Sequence, residues 1–341
     1  MAKANVKMAD IAQALGVSTV AVSKALSGQK GVSEDLRERI KKTAEEMGYR
    51  SPKVLRQVKY KSGFNIGVLI CERYVGTSEA FYWKLYQELT AQAMKRECFV
   101  LLELLSEQDM RQMHMPKLVT ENKADGLIII GKPAGRYATT LRNSWSRPVL
   151  YLDFYEDDLS ADAVISNGFF GMYALTNYLW ECGHRKIGYI GTLGATDSIA
   201  DRYFGYCKSM MVHGLTVNPA WVLDDRDLQT GLDIPIAFPE DGPTAYVCNC
   251  DYEAGRAIRE LNARGIRVPE DVSIVGFDDY MYPGLCDKGI TTYSANVQEM
   301  TGIAMRMMIA RLSGEPGRTG LQVTDGRLVI RDTVRVIETE E

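Results

Sequence analysis

MADIAQALGVSTVAVSKALSGQKGVSEDLRERIKKTAEEMGYR, residues 8–50, carries three short helical patterns in succession. Met8, Ile11, Ala12 and Leu15 fall at i, i+3, i+4 and i+7, one face of a helix, and Gly16 suits the left-handed residue that ends it. Ser18 offers an N-cap oxygen to a second run, in which Val22, Ala25 and Leu26 share one side while Val20, Ser23 and Lys24 point the other way. That run stops at Gly28. Ser33 caps a third helix, whose first turn holds Glu34 and Asp35 to complement its dipole; Leu36, Ile40, Ala44 and Met47 form its buried stripe and Gly48 closes it. The turn Leu15-Gly16-Val17-Ser18 is so short that the first two helices must cross, which leaves the second free to lie in a DNA major groove.

Charge supports that reading. The whole chain is −4, but residues 1–62 carry 13 Lys and Arg against 6 Asp and Glu, a basic head of +7 on a body of −11. A small packed three-helix bundle with solvated charges is the alternative, and the concentrated positive charge favours DNA.

These residues also spell D-I-A-x-x-x-G-V-S-x-x-x-V-S-K-x-L-S-G, then V-S, R-x-x-I and A-x-x-x-G-Y, and so resemble the N-terminus of the LacI/GalR transcriptional regulators. The resemblance puts Thr19, Val20 and Lys24 at base-reading positions of a recognition helix, and Ser18, Ser23 and Lys30 beside phosphates. Three positions depart from the pattern: Lys7 and Ala21 stand where the family usually has Thr, and Lys24 where it has Arg. A lysine is a point charge rather than a bidentate fork, so it discriminates guanine less sharply.

With 341 residues, 46% apolar and 25% charged, the chain is expected to hold two or three ordinary globular domains. It has no run of about 18 apolar residues and no apolar segment at its start, so neither a membrane span nor a secretory signal is expected and the reading is cytoplasmic. The seven cysteines, at 71, 98, 182, 207, 248, 250 and 286, include no CxxC pair and read as reduced packing residues. His114, His184 and His213 form no metal motif, and no cofactor or metal is expected.

Residues 51–62 lack a core-forming pattern and read as a hinge linker. Beyond Gly63, apolar runs alternate with helical stretches. Strands are expected at 64–70, 99–105, 127–130 and 149–152, and then at 163–165, 187–190, 245–248 and 272–277. The helices fall between, at 81–95, 136–143, 171–181, 202–213 and 254–264. Such alternation implies α/β architecture with parallel, doubly wound sheets in two lobes, which hold small molecules in a crevice at the carboxyl ends of their strands. Gly188, Gly191 and Gly194 do not make G-x-G-x-x-G, and no phosphate loop occurs.

NIGVLI, ADGLIIIG, PVLYLD, SNGFFG with GHRKIGYIG, DRYFGY, VPEDVSIVGFDD and ITTYSANVQEMTGIAM follow one another as in the LacI/GalR effector-binding core, which is periplasmic-binding-protein-like. That similarity implies crossovers near 161, 292 and 323, giving one lobe of residues 63–161 and 293–323 and a second of 162–292 and 324–341. It also assigns effector hydroxyls to Asp153, Arg202 and Asp278, groups that can each hold two vicinal hydroxyls. Phe81 and Tyr82 stand where the family places aromatics, although such a pair at a helix start is often core, so one of the two is expected at the ligand. Cys250-Asp251 replaces the family's Asn-Asp, and Ser166-Asn167 its Asp-Asn. Cys250 cannot supply the two-sided hydrogen bonding of an amide, which opens the effector to an unusual sugar, a uronate or a non-sugar.

The resulting expectation is a homodimeric regulator, a repressor by resemblance, that binds pseudo-palindromic operator DNA under control of a carbohydrate-like effector. One short recognition helix reads too few bases, which is the argument for the dimer. A transport-type sugar-binding protein would share the body but lack the basic head. An enzyme would need a Ser-His-Asp set, phosphate loop or spaced carboxylate pair, and none emerges. In the linker, the resemblance puts Val58 at the position from which the family's Leu wedges the minor groove and Leu55, the alternative wedge, at the family's Ala position facing the partner hinge; the other reading is that the two residues pack the hinges together.

Overall fold

The computed structural model describes residues 8–26, 31–46, 63–75, 80–156, 161–228, 230–280, 282 and 284–338. The chain forms two compact units, Met1–Ser62 and Gly63–Glu341.

In the first unit, α1 (Met8–Leu15), α2 (Thr19–Leu26) and α3 (Glu34–Glu46) surround a small core of Ile11, Ala12, Val22, Ala25, Ile40 and Ala44. Gly16 sits at φ +64°, and Val17 N–H returns to the Ala12 carbonyl at 3.0 Å, so the left-handed residue closes α1 and turns the chain. The Ser18 hydroxyl accepts from Ala21 N–H at 3.1 Å and caps α2. Lys30, Met47, Gly48, Leu55 and Val58, to which the sequence gave roles, lie outside the described residues.

The second unit begins with β1 (Asn65–Cys71), α4 (Ala80–Met94), β2 (Phe99–Leu105), α5 (Glu107–Arg111), α6 (Lys117–Thr120) and β3 (Gly126–Ile130). It continues through α7 (Tyr137–Ser144), β4 (Val149–Leu152), β5 (Asp162–Ser166), α8 (Gly168–Glu181), β6 (Ile187–Ile190) and α9 (Asp197–Val212). There follow β7 (Val222–Leu223), β8 (Ala245–Cys248), α10 (Asp251–Ala263), β9 (Ser273–Phe277), β10 (Thr291–Ser294), α11 (Val297–Ser313), β11 (Leu321–Thr324) and β12 (Arg327–Val329). Among the described residues they build two six-stranded sheets, ordered β11-β5-β4-β3-β1-β2 and β12-β10-β9-β8-β6-β7. All neighbours are parallel except β10 and β12, an antiparallel edge pair. Leu127, Ile128, Ile129 and Ile130 of β3 are wholly buried, as expected of a parallel strand covered on both faces.

The crossovers lie later than the sequence implied. β5 runs beside β4 and β11 in the first sheet, and Asp162 receives the Arg311 guanidinium of α11 at 2.6 and 2.9 Å. The first crossing therefore follows Ser166 instead of preceding Asp162. β10 belongs to the second sheet, which moves the next crossing beyond Ser294, and β11 keeps Thr324 in the first, which moves the last to Asp325-Gly326. Each shift has one cause: a strand of four or five residues is long enough to show its type but not its partners.

Between β7 and β8, the described residues of 224–244 hold no helix or strand. Two side chains of α10 and its C-cap residue pin them: the Arg256 guanidinium reaches the carbonyls of Asp225 (3.1 Å) and Ile234 (2.6 Å), Arg264 that of Ile236 (3.1 Å), and Glu260 accepts from Ile236 N–H. No helix of the described residues is long and apolar enough to cross a membrane.

Candidate functional site

On the head, the outer side of α2 presents Thr19, Val20 and Ser23 to solvent, with Lys24 half-buried beside them. Val20 is 61% exposed. In a groove-reading helix it has a use, because thymine offers a methyl group as its contact. Ser18 is exposed but its hydroxyl is engaged at the cap.

In the body, a narrow cavity of about 60 Å³ opens between the lobes. Its first-lobe wall is made by Tyr74, Phe81, Tyr82 and Asp153. Thr196, Ser198, Ile199 and Arg202 come from the start of α9, Asn249, Cys250 and Tyr252 from the β8–α10 junction, and Arg226, Asp278 and Tyr282 from loops of the second lobe. All six effector residues expected from the sequence thus meet around one cavity, and Phe81 and Tyr82 both reach it.

The carboxylates owe their positions to strand ends. Asp153 follows β4 and Asp278 follows β9, each with positive φ (+66° and +106°), a conformation aspartate tolerates better than most residues. Their N–H groups still extend the ladders, Asp153 to the Val164 carbonyl at 2.8 Å and Asp278 to that of Tyr293 at 3.0 Å. The strand direction therefore delivers both side chains to the crevice, as in open α/β sheets generally.

Arg202 is held from below. Gly205, one turn along α9, lets that helix approach α8 so closely that a Cβ there would stand 2.1 Å from the Phe169 carbonyl oxygen. The Arg202 guanidinium lies 4.0 Å above the Phe277 ring, donates to the Asn249 carbonyl at 2.6 Å and pairs with Asp278 at 3.2 Å. Its Nε has no hydrogen-bond partner among the described residues. Arg202, Asp153 and Asp278 are all buried.

Burial governs the charges. It pushes the Asp153 carboxyl up to about 7, with Arg202 opposing and Asp278 adding, and a hydrogen bond from Tyr82 favours the ionised form. Asp278 is pushed up to about 6 by the same burial, held down partly by Arg202 and Lys84. Burial would lower Arg202, but the two aspartates keep it above its ordinary value and charged. The Cys250 thiol is driven well up by burial and stays neutral; it heads α10 without capping it through sulfur.

Several wall residues escaped the sequence reading. Tyr74 packs on Tyr82 with ring centroids 4.7 Å apart, and Tyr252 meets Tyr282 edge-on at 5.2 Å, so both lobes offer aromatic surface. Asn249 donates to Asp225 at 2.7 Å, and Arg226 rests on the same carboxylate. Only Asn249, next to Cys250, had a signal in sequence. Across the mouth, Lys132 of the first lobe bonds Asp197 of the second at 2.7 Å, with Glu156 3.8 Å away. The histidines serve structure: His184 is buried between Thr244 and the Arg335 carbonyl, and His213 stacks on Trp180 at 3.9 Å. No cluster of metal-ligating side chains occurs among the described residues.

The family described as "Bacterial regulatory proteins, lacI family" matches residues 7–51, and "Periplasmic binding protein-like domain" matches residues 176–334. The chain carries a lacI-family helix-turn-helix domain followed by a periplasmic-binding-protein-like domain. The family's helix-turn-helix region and its ligand-binding domain thus coincide with the two units seen here. Full-length relatives include the HTH-type transcriptional repressor CytR of Escherichia coli K12, 26% identical over 97% of this chain and 96% of that one. The repressor PurR of Haemophilus influenzae Rd is 29% identical over 96% and 98%, and the ribose operon repressor of the same strain 25% over 96% and 98%. Among solved structures, the lac repressor dimer bound to operator and the anti-inducer ONPF shares the fold at TM-score 0.64 and 20% identity, covering 97% of this chain and 99% of that one. The CelR–cellobiose complex does so at TM-score 0.68 and 20% identity, covering 96% and 99%. With these two domains the chain is a DNA-binding transcriptional regulator with a ligand-binding domain, and its named relatives are repressors.

Proposed function

We propose that this chain is a homodimeric, cytoplasmic repressor whose affinity for a pseudo-palindromic operator is set by a hydroxylated small molecule, a sugar or sugar derivative, between its lobes. The observation that carries the proposal is the convergence of Asp153, Arg202 and Asp278 in one buried cavity flanked by tyrosines. Carboxylates and a guanidinium grip vicinal hydroxyls, and aromatic faces suit the apolar face of a sugar ring. The ribose operon regulated by one relative and the cellobiose bound by one structural neighbour support the same class. On DNA, Thr19, Val20 and Lys24 read bases, with Ser18, Ser23 and Lys30 at phosphates, and Leu55 or Val58 meets the operator centre.

Function then rests on coupling: the ligand binds one arrangement of the lobes better than another, and that difference is transmitted to the paired heads. Binding, without a catalytic step, suffices. The basic head separates this reading from a transport-type binding protein. Thermal denaturation of the full chain against a sugar and sugar-derivative library tests it, since a ligand at a hundred times its Kd adds about 2.7 kcal/mol. A hit must also change the affinity for selected operator DNA; hits that leave DNA binding untouched contradict the coupling.

A further inference from the structure

Arg226 lines the same cavity, in the irregular segment after β7, where the sequence DDRD reads as a solvated charge run. The structure shows otherwise, for its side chain is 16% exposed and leans on the wholly buried Asp225 and Glu253. Nε and Nη2 both donate to Asp225 Oδ2, at 3.2 and 2.9 Å, and Nη2 stands 3.6 Å from Glu253 Oε1. Nη1 has no hydrogen-bond partner among the described residues. One edge of the guanidinium is therefore fixed to the protein and the remaining donors are left to the cleft.

The anchor is built with care. Asp225 also accepts from Thr192 N–H at 2.8 Å and Asn249 Nδ2 at 2.7 Å, so it cannot move without disturbing the cavity wall. A second guanidinium, Arg256, shares the anchor through Glu253 at 2.8 Å and the Asp225 carbonyl. Burial and the neighbouring Asp225 push the Glu253 carboxyl up, with Arg256 and Arg226 opposing. The Arg256 charge is met by Glu253, Asp233 and Glu260 at 2.8, 3.7 and 3.6 Å, so Arg226, which lines the cavity, is the guanidinium of the pair with donors left for a ligand.

We infer that the effector carries an oxyanion, a carboxylate or a phosphate, as well as hydroxyls, and that Arg226 reads it. This rests on the polyol reading above and narrows it to acidic sugars. The guanidinium is preorganised, so little side-chain entropy is lost when an oxyanion docks.

Calorimetric titration of the full-length chain tests the inference with matched probes: glucose against gluconate, glucuronate and glucose 6-phosphate, and galactose against galacturonate. At least one acid should bind tenfold or more tightly than its neutral partner, and the stronger arm tells carboxylate from phosphate. In Arg226→Gln that ratio should fall towards one, and Arg226→Lys should restore part of it. Neutral sugars binding as well as acids, or a ratio unchanged in Arg226→Gln, would overturn the inference and leave the polyol reading intact; binding by none of the probes would overturn both. The ratio in the unmodified protein decides even if the variants do not fold.

Discussion

Replacing Asp153 with asparagine separates what the cleft needs for ligand from what the fold needs for stability. The side chain is 8% exposed, and burial moves its pKa from the ordinary 3.8 to about 7. A carboxyl whose pKa is raised on folding contributes stability that is fully present below its unfolded value and is lost as the pH rises through the folded one. At about 1.4 kcal/mol per pH unit, burying the Asp153 carboxyl costs the unliganded fold about 4 kcal/mol at pH 8, where it is ionised, and about 2 kcal/mol at pH 5, where the fold must keep it protonated. Asparagine cannot ionise, tolerates the positive φ of +66° and keeps an oxygen for the Tyr82 hydroxyl. Urea denaturation of both proteins without ligand should therefore find Asp153→Asn more stable by about 4 kcal/mol at pH 8, with the gain halved at pH 5 and gone near pH 3.5. Groups other than Asp153 titrate in both proteins and cancel in the difference. The variant should nonetheless lose ligand affinity, because a hydroxyl then meets a neutral amide in place of a charged acceptor. A variant less stable at pH 8, or a gain independent of pH, would refute the reasoning.

Arg202→Met leaves Asp278 and Asp153 buried without their cation, so the body should lose about 3–5 kcal/mol at pH 8 and less at pH 5, where both carboxyls are protonated; equal losses at the two pH values would contradict this. Asp197→Asn removes the Lys132 contact across the cleft mouth, a partly exposed pair contributing about 0.5–1 kcal/mol. Spin-label distances between the lobes should then broaden towards longer separations, and an unchanged distribution would show that the pair is no latch. Raising salt from 50 to 200 mM should weaken DNA binding steeply, with a slope of about −0.9 per phosphate neutralised, and a flat dependence would remove the +7 head from the interface.

Much of this architecture was legible because strands buried on both faces read as continuous apolar runs. Val149–Leu152, Ile187–Ile190 and Ala245–Cys248, buried throughout, begin and end where that signal does. The lobe membership of Asp162–Ser166 was not legible, since it depends on Arg311 and on pairing with Leu321–Thr324, more than a hundred residues on. The cavity divides in the same way. Asp153, Arg202 and Asp278 stand at strand ends or in a recognisable segment, whereas nothing in the local sequence marks Tyr74, Tyr252 and Tyr282 as cavity lining. Arg226 was hidden by its neighbours: a charge among aspartates looks solvated, and only the long-range contacts to Asn249 and Glu253 show that its anchor is buried.

Selection of bound duplexes from a random DNA library by the full-length chain tests the central claim most directly, with Lys24→Ala carried in parallel. The account predicts enrichment of a pseudo-palindrome by the unmodified protein, and for Lys24→Ala a relaxed preference, by about 1–3 kcal/mol, at one symmetry-related pair of positions with the others kept. Failure to enrich any sequence, or an identical preference in both proteins, would contradict the placement of α2 in the major groove.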